Sequence, residues 1–486
     1  MLEYLILINL IFCFLILISP KNKMLYVINF LHSLLTLIFS IILLLIQDLP
    51  KYYYPEHYFL IDNLVIYELL LSSFVFFICS IYAGSYLESL AKIGSFNLDN
   101  SKIFFIAYIL LNMFCNLSFL SNNLALFWIF AELTTIFSAL LIVILNTKEN
   151  IEASIKYIFV TSSSMLFTFI GLIFLYALTT NIIGEGTLNW DELMIHATEL
   201  SSKMLVVAFL FIFVGYAAKS GIVPFHTWLP EAHEKAPSVI SAILSTIVLN
   251  VGLYGIIRIF SVVKETSILP QITAFLLWFA FISIGLASFS MLQQKNLKTL
   301  IAFSSVEQSG FIVLVLVLNS KIAIFWVLIQ IISHVLAKVL LFFSVGVLHN
   351  QYNSNYIDSM PNALIKQKIA SWGLILGTIA LIGIPPFAIF ISKLMILSEL
   401  QKTSPILLIL TLLLFLIVAV SFANFLIRLF KYSDQSISIT DNENKQGYFW
   451  MKLPIAILIL TLFLLGLYFP TELIELITGV QKDLFY

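Results

Sequence analysis

Apolar runs of about twenty residues follow one another along almost the whole chain, divided by short polar breaks. A bilayer core takes about 20 residues of helix to cross. On that template the pattern predicts fourteen membrane helices, near 2–18, 24–47, 60–83, 102–120, 123–146, 151–178, 203–222, 237–263, 271–293, 298–319, 322–349, 369–400, 405–431 and 450–469. The long apolar stretch 298–349 is cut at Asn319-Ser320-Lys321. The longest connections are 84–101, 179–202, 350–368 and 432–449, too short for a separate soluble domain. The second carries Glu185, Asp191, Glu192 and Glu199 and is expected to lie on the surface as an amphipathic element.

Breakers interrupt two of the predicted helices. Pro224 and Pro230 follow Lys219, and Pro385-Pro386 precedes Lys393. Interruptions at matching places in two halves of a membrane protein point to inverted repeats with a site at the breaks. The expected architecture is therefore an all-α polytopic membrane protein with two inverted five-helix repeats, helices 4–8 and 9–13, in which helices 7 and 12 are broken. The corresponding division is 1–100 (helices 1–3), 101–265 (first repeat), 266–431 (second repeat) and 432–486 (helix 14 and tail). It rests on hydropathy and breaker position, because the two units show no obvious pairwise identity.

Composition agrees with a membrane protein and narrows the chemistry. Of the 486 residues, 61% are hydrophobic and 10% charged, against about 25% charged in soluble domains. Net charge is −1, which predicts no nucleic-acid partner. Cys13, Cys79 and Cys115 lie in three separate apolar segments. Without a CxxC or Cys/His cluster, neither a cysteine-held iron–sulfur centre nor a structural zinc is expected, and no cofactor is expected in this chain. The apolar start lacks a basic n-region and a small-residue cleavage site, so it reads as the first membrane helix. Loop lysines are biased, 13 on the side of connection 1–2 against 6 on the other. By the positive-inside rule both termini are expected outside a cytoplasmic membrane.

A few titratable groups stand deep in these apolar runs. Lys219 ends LFIFVGYAAK (210–219), and Glu132 lies about ten residues into its own span. A charge near mid-bilayer costs about 2.5–3.5 kcal/mol on insertion scales and usually has a partner and a task. A carboxylate that approaches or withdraws changes whether a buried ammonium keeps its proton. Glu132 and Lys219 are thus either a proton switch or a static pair joining two helices. His334 and Lys338, four residues apart, share a helix face. They suit a proton relay, or His334 is a polar packing contact. Lys393 either ends that relay or snorkels to the interface. Asn250 and the serines Ser162, Ser163, Ser164, Ser304 and Ser305 can hold water or merely join helices. His226 and His233 bound HTWLPEAH (226–233), which is no known zinc spacing. They are assigned to a loop shaping the proton entrance.

Five segments carry a resemblance. FAELTTIFSALL (130–141), KSGIVPFHTWLPEAHEKAPSVISAIL (219–244), QKNLKTLIAFSSVEQSGF (294–311), HVLAKVLLFFSVG (334–346) and GIPPFAIFISKLMIL (383–397) resemble the antiporter-like membrane subunits of respiratory complex I, group 4 hydrogenases and Mrp antiporters. The resemblance spans about residues 100–430, and its second segment is the most specific. It implies fourteen helices, two inverted repeats, a central pair at Glu132 and Lys219, and a relay completed by His334, Lys338 and Lys393. One position departs. Many members carry a lysine on helix 8, where this chain has Asn250, so Asn250 or water must bridge. SSVEQSG (304–310) with Asn250 looks closer to hydrogenase-4 component F, with complex I subunits of the M/N type next.

The expected function is a proton-translocating membrane subunit of a complex-I-like redox complex, driven by electron transfer in other membrane and peripheral subunits. The substrate is protons, or sodium under the alternative of a Mrp-type Na+/H+ antiporter subunit. A second alternative is the membrane partner of a bicarbonate-uptake complex.

Overall fold

The computed structural model describes residues 2–20, 22–45, 49–53, 57–200, 202–429 and 445–485. Two of the lysines counted for sidedness, Lys21 and Lys431, and most of the connection 432–449 lie outside the described residues.

Almost every described element is helical. The long helices are α1 (Leu2–Ile18), α2 (Asn22–Leu44), α3 (Asn63–Lys92), α4 (Ser101–Leu120), α5 (Leu124–Val143) and α6 (Lys148–Ile183). Helix α7 is in two pieces, Lys203–Lys219 and Leu229–Lys235. Then come α8 (Ser238–Val263), α9 (Leu269–Leu292), α10 (Leu297–Leu318) and α11 (Lys321–Tyr352). Helix α12 is again in two pieces, Lys368–Ile382 and Ala388–Thr403, followed by α13 (Pro405–Leu429), α14 (Lys445–Leu467) and α15 (Thr471–Phe485). Among the described residues, 11 helices are long and apolar enough to cross a membrane, and Leu5–Ile18 and Lys368–Ile382 are shorter apolar helices. The all-α membrane fold expected from hydropathy is what forms.

Polar caps set the helix starts. Asp62 accepts from Val65 N–H, Asn123 from Ala125 and Leu126, and Thr147 from Asn150, so each satisfies amides that the first turn leaves free. Several helices outrun the apolar segments that announced them. The third reaches Lys92 rather than 83, and the sixth spans 148–183 rather than 151–178. Hydropathy sees only the apolar slab, whereas the backbone ladder continues through polar end turns.

The connections pack in two sets. In one, Phe59 bridges Ser121, Asn123 bridges Asn189, and Asn63 N–H and Nδ2 both donate to Asp483 Oδ2 at 2.9 Å. In the other, Asn296 bridges Tyr356 and Asn150 Nδ2 donates to the Lys235 carbonyl at 2.7 Å. A short antiparallel hairpin, β1 (Lys51–Tyr53) and β2 (Phe59–Ile61), and the terminal helix α15 were not anticipated. The connection 179–202 lies at the surface as an amphipathic element, with Glu185 and Glu199 exposed and Trp190 and Leu193 buried. Its short helix Trp190–Ile195 inserts Trp190, whose Nε1 donates to Ser261 Oγ at 2.9 Å and to the Arg258 carbonyl at 3.1 Å.

Helices α3 and α8 run antiparallel at the centre in a register marked by three pairs. Asp62 clasps Arg258 through two bonds of 2.7 and 3.0 Å, Glu68 faces Asn250, and Ser238 N–H donates to Tyr86 Oη at 3.0 Å. Helix α8 and α11 are almost wholly buried, while α13 is mostly exposed in the isolated chain.

Candidate functional site

Two breaks with the same local geometry hold two of the deep lysines, Lys219 and Lys393. After Lys219, Gly221 turns left-handed (φ +70°), its N–H bonds the Ala218 carbonyl, and Ile222 N–H bonds that of Ala217. After Leu381, Gly383 turns left-handed (φ +88°), its N–H bonds the Ala380 carbonyl, and Ile384 N–H bonds that of Ile379. Each is a Schellman ending, which glycine favours because a Cβ is strained at that φ. Prolines then prevent the helix from resuming at once. Carbonyls at both ends also accept from side chains: Trp228 Nε1 donates to Ala218 O at 2.9 Å, and Lys393 Nζ donates to Leu381 O at 3.1 Å.

Lys219 is fully buried at the first break and donates to Thr135 Oγ1 of α5 at 2.9 Å. Glu132 stands one turn before Thr135. Its Oε2 accepts from Ser162 Oγ of α6 at 2.9 Å, while its buried Oε1 has no partner. The two residues predicted to pair are neighbours across Thr135, with no ion pair within 4 Å among the described residues.

From this break the polar groups continue inward. Ser309 of α10 donates to the Ser220 carbonyl at 2.8 Å and borders a cavity shared with Ser245, Asn250, Ser305, Gln308 and His334. Its free volume is about 10 Å³, near the room one water needs. A π-helical turn at Leu244–Val248 shapes one wall. Such a turn adds a residue to the helical repeat, which puts Ser245 and Asn250, five apart, on one face. Beyond the cavity, Gln330 Nε2 donates to Gln308 Oε1 at 3.1 Å, and Ser392 Oγ donates to Gln330 Oε1. Ser392 adjoins Lys393, which is buried with its Nζ 4.3 Å from the Phe415 ring centroid. The Lys393 side chain is thus directed into the protein. Lys338, fully buried, donates to Ser304 Oγ at 2.7 Å and to the Ile301 carbonyl.

Two buried carboxyls went unassigned in the sequence reading. Glu307 of α10 lies inside the quoted SSVEQSG, and its Oε1 is buried without a partner. Glu68 of α3 is 2% exposed and faces Asn250. The criterion that singled out Lys219, a lone charge in a long apolar run, applies to Glu68 as well. The histidine pair of the expected entrance loop does not stay together. His226 is half-buried in a short turn between the two pieces of α7. His233 is wholly buried on the second piece, where its Nδ1 contacts the Leu229 carbonyl at 2.7 Å, and is not a loop residue. A helical face turned toward α11 carries it inward. Among the described residues no three His, Cys, Asp or Glu converge as metal ligands.

The sequence model of the family described as NADH:quinone oxidoreductase/Mrp antiporter, transmembrane, matches residues 121–419. The chain belongs to this family. A hydrogenase-4 component F homolog of Methylacidiphilum infernorum is 31% identical over 381 residues, 78% of this chain and 79% of that protein. NADH-quinone oxidoreductase subunit M of Rickettsia prowazekii is 27% identical over 399 residues, 79% of this chain and 78% of that one. In the membrane-bound sulfane sulfur reductase, an archaeal respiratory membrane complex, one chain superposes with a TM-score of 0.86 at 22% identity, covering 99% of this chain and 97% of that one. That likeness shows a shared fold over nearly the whole chain. The family match contains Glu132, Lys219, Asn250, Glu307, His334, Lys338 and Lys393, whereas Glu68 precedes it.

Proposed function

We propose that this chain is the proton-translocating membrane subunit of a redox complex of complex I or hydrogenase-4 type. The observation that carries the reading is the buried polar file from Glu132 through Thr135, Lys219, Ser220, Ser309 and the Asn250–His334 cavity to Gln330, Ser392 and Lys393. Electron transfer in partner subunits shifts the charge balance at Glu132 and Lys219. Lys219 then passes its proton toward His334 and Lys338, and Lys393 releases it. Glu307, between these lysines on α10, is a counter-charge for the second half. The magnitudes agree: one charge moved against ~150 mV costs about 3.5 kcal/mol, and a contact between unit charges at 4 Å is worth about 4 kcal/mol at an effective dielectric of 20.

On this reading 101–265 and 266–431 are the two inverted units, between the N-terminal helices of 1–100 and the C-terminal part 432–486. The matching Schellman breaks at Gly221 and Gly383 support that division. The chain sits in a cytoplasmic membrane with both termini outside, as the lysine bias indicates, beside other membrane subunits and peripheral redox subunits. A Mrp-type sodium/proton antiporter subunit is the second reading, since the family description covers it. A hard cation needs several converging oxygens, whereas two buried lysines, Lys219 and Lys393, stand in this file and repel a metal cation, which favours protons.

The test is the Lys219→Ala variant of the intact complex in vesicles, with proton uptake measured against electron transfer. Loss of pumping at normal assembly is expected; undiminished pumping ends the reading. Uptake that requires sodium would move the chain to the antiporter class.

A further inference from the structure

At the wall that α8 gives the cavity, the polar file has no group that titrates. Asn250 lines the cavity beside His334, yet its amide neither gains nor loses a proton near neutral pH. Its other side faces a group that can. Glu68 of α3 places Oε2 3.5 Å from Asn250 Nδ2. It is nearly wholly buried, and among the described residues no lysine, arginine or histidine forms an ion pair with it. Its placement is fixed. Six residues away Asp62 holds Arg258, and next to it Tyr67 Oη donates to the Leu328 carbonyl at 2.7 Å, tying α3 to α11.

A buried carboxylate without a cation is costly, so such a group persists where it serves a purpose. The carboxyl is also held loosely, since 3.5 Å is longer than an ordinary N–H···O bond. One turn along α3, Ser72 donates to Asn116 Oδ1 and Asn116 to Asn112 Oδ1, each at 3.0 Å, so polar groups continue from Glu68 into the α3–α4 seam. We propose that Glu68 is a proton-carrying group of this chain, exchanging its proton with the cavity between Asn250 and His334 and standing in for the titratable side chain that α8 lacks. The step is a bare proton transfer. A proton held on water in the cavity moves to the Glu68 carboxylate to give the neutral acid, and returns toward His334 when the charge behind it changes. Asn250 is the positioning residue, set between the carboxyl and the cavity.

This inference rests on the proton-relay reading and is tested beside it, on the intact complex in vesicles, with protons moved per electron and subunit co-purification both measured. Glu68→Gln is expected to lower pumping at least about tenfold with assembly unchanged. Glu68→Asp is expected to keep most of it. The double variant Glu68→Gln/Asn250→Lys is expected to recover pumping, because it returns a titratable group across the same contact; a merely structural glutamate would not be rescued so. Normal pumping in Glu68→Gln, or loss without rescue by the double variant, overturns the proposal. Should Glu68→Gln fail to assemble, infrared difference spectra of the turning-over complex decide. A carboxylic-acid band that Glu68→Asp shifts supports the role, and its absence overturns it. Lys219→Ala separates the two ideas: pumping there sinks the relay itself, whereas silence there with full pumping in Glu68→Gln removes only Glu68.

Discussion

The ammonium of Lys219 is bonded to the hydroxyl of Thr135, 2.9 Å away, and not to the carboxylate of Glu132 one turn earlier on the same helix. A hydroxyl holds the lysine without neutralising it. The charge remains available to Glu132, whose Oε1 is buried and unpartnered.

Thr135→Val should therefore impair transport without unfolding the chain. A buried donor left without its acceptor costs about 1–3 kcal/mol, which corresponds to roughly 5- to 150-fold in an equilibrium. Thr135→Ser should retain most activity. Proton uptake per electron in vesicles, beside a thermal melt, checks both.

Glu307→Gln should abolish pumping while the complex still assembles. The substitution keeps volume and removes the carboxyl charge that lies among Lys338, Lys393 and the Gln308 chain. Pumping at the unsubstituted rate would mean that the second half of the file needs no counter-charge on α10.

Asp62 and Arg258 are both nearly fully buried and doubly bonded, with the guanidinium 4.2 Å from the Trp190 ring centroid. Asp62→Ala should destabilise by about 3–5 kcal/mol, since it strands a buried cation, while adding Arg258→Met should recover much of the loss. Denaturation in mild detergent measures both, and equal stability of Asp62→Ala and the unsubstituted chain would contradict the ion-pair account.

Gly466 on α14 lies against the second break: a Cβ there would sit 1.9 Å from the Pro386 carbonyl oxygen. Gly466→Ala should displace α14 or the break and lower the melting temperature. Gly285→Ala on α9, where nothing lies within 4 Å of the added Cβ, should be neutral or stabilising by about 0.5–1 kcal/mol. Similar melts for the two variants would refute the close approach.

Hydropathy determined the all-helical membrane architecture, because only a helix satisfies its own backbone inside a bilayer and about 20 apolar residues are needed to cross it. Depth within apolar runs also singled out Lys219, Glu132, Lys338 and Lys393, since a charge there is costly wherever the helix ends up. The breaks at Pro224 and Pro385-Pro386 were legible for the same local reason: proline and left-handed glycine act on their own turn. Tertiary structure decided everything that depends on which faces meet. That Thr135 stands between Glu132 and Lys219, that Gln330 links Gln308 to Ser392, that His233 packs against Phe342 of α11, and that Trp190 caps Arg258 are relations between helices far apart in sequence. No periodicity encodes them, because in a chain that is apolar on every side the helix face carries no hydropathy signal, and only packing chooses the neighbour. Glu68 shows both at once: its depth was readable in the sequence, but its place opposite Asn250 exists only in the fold.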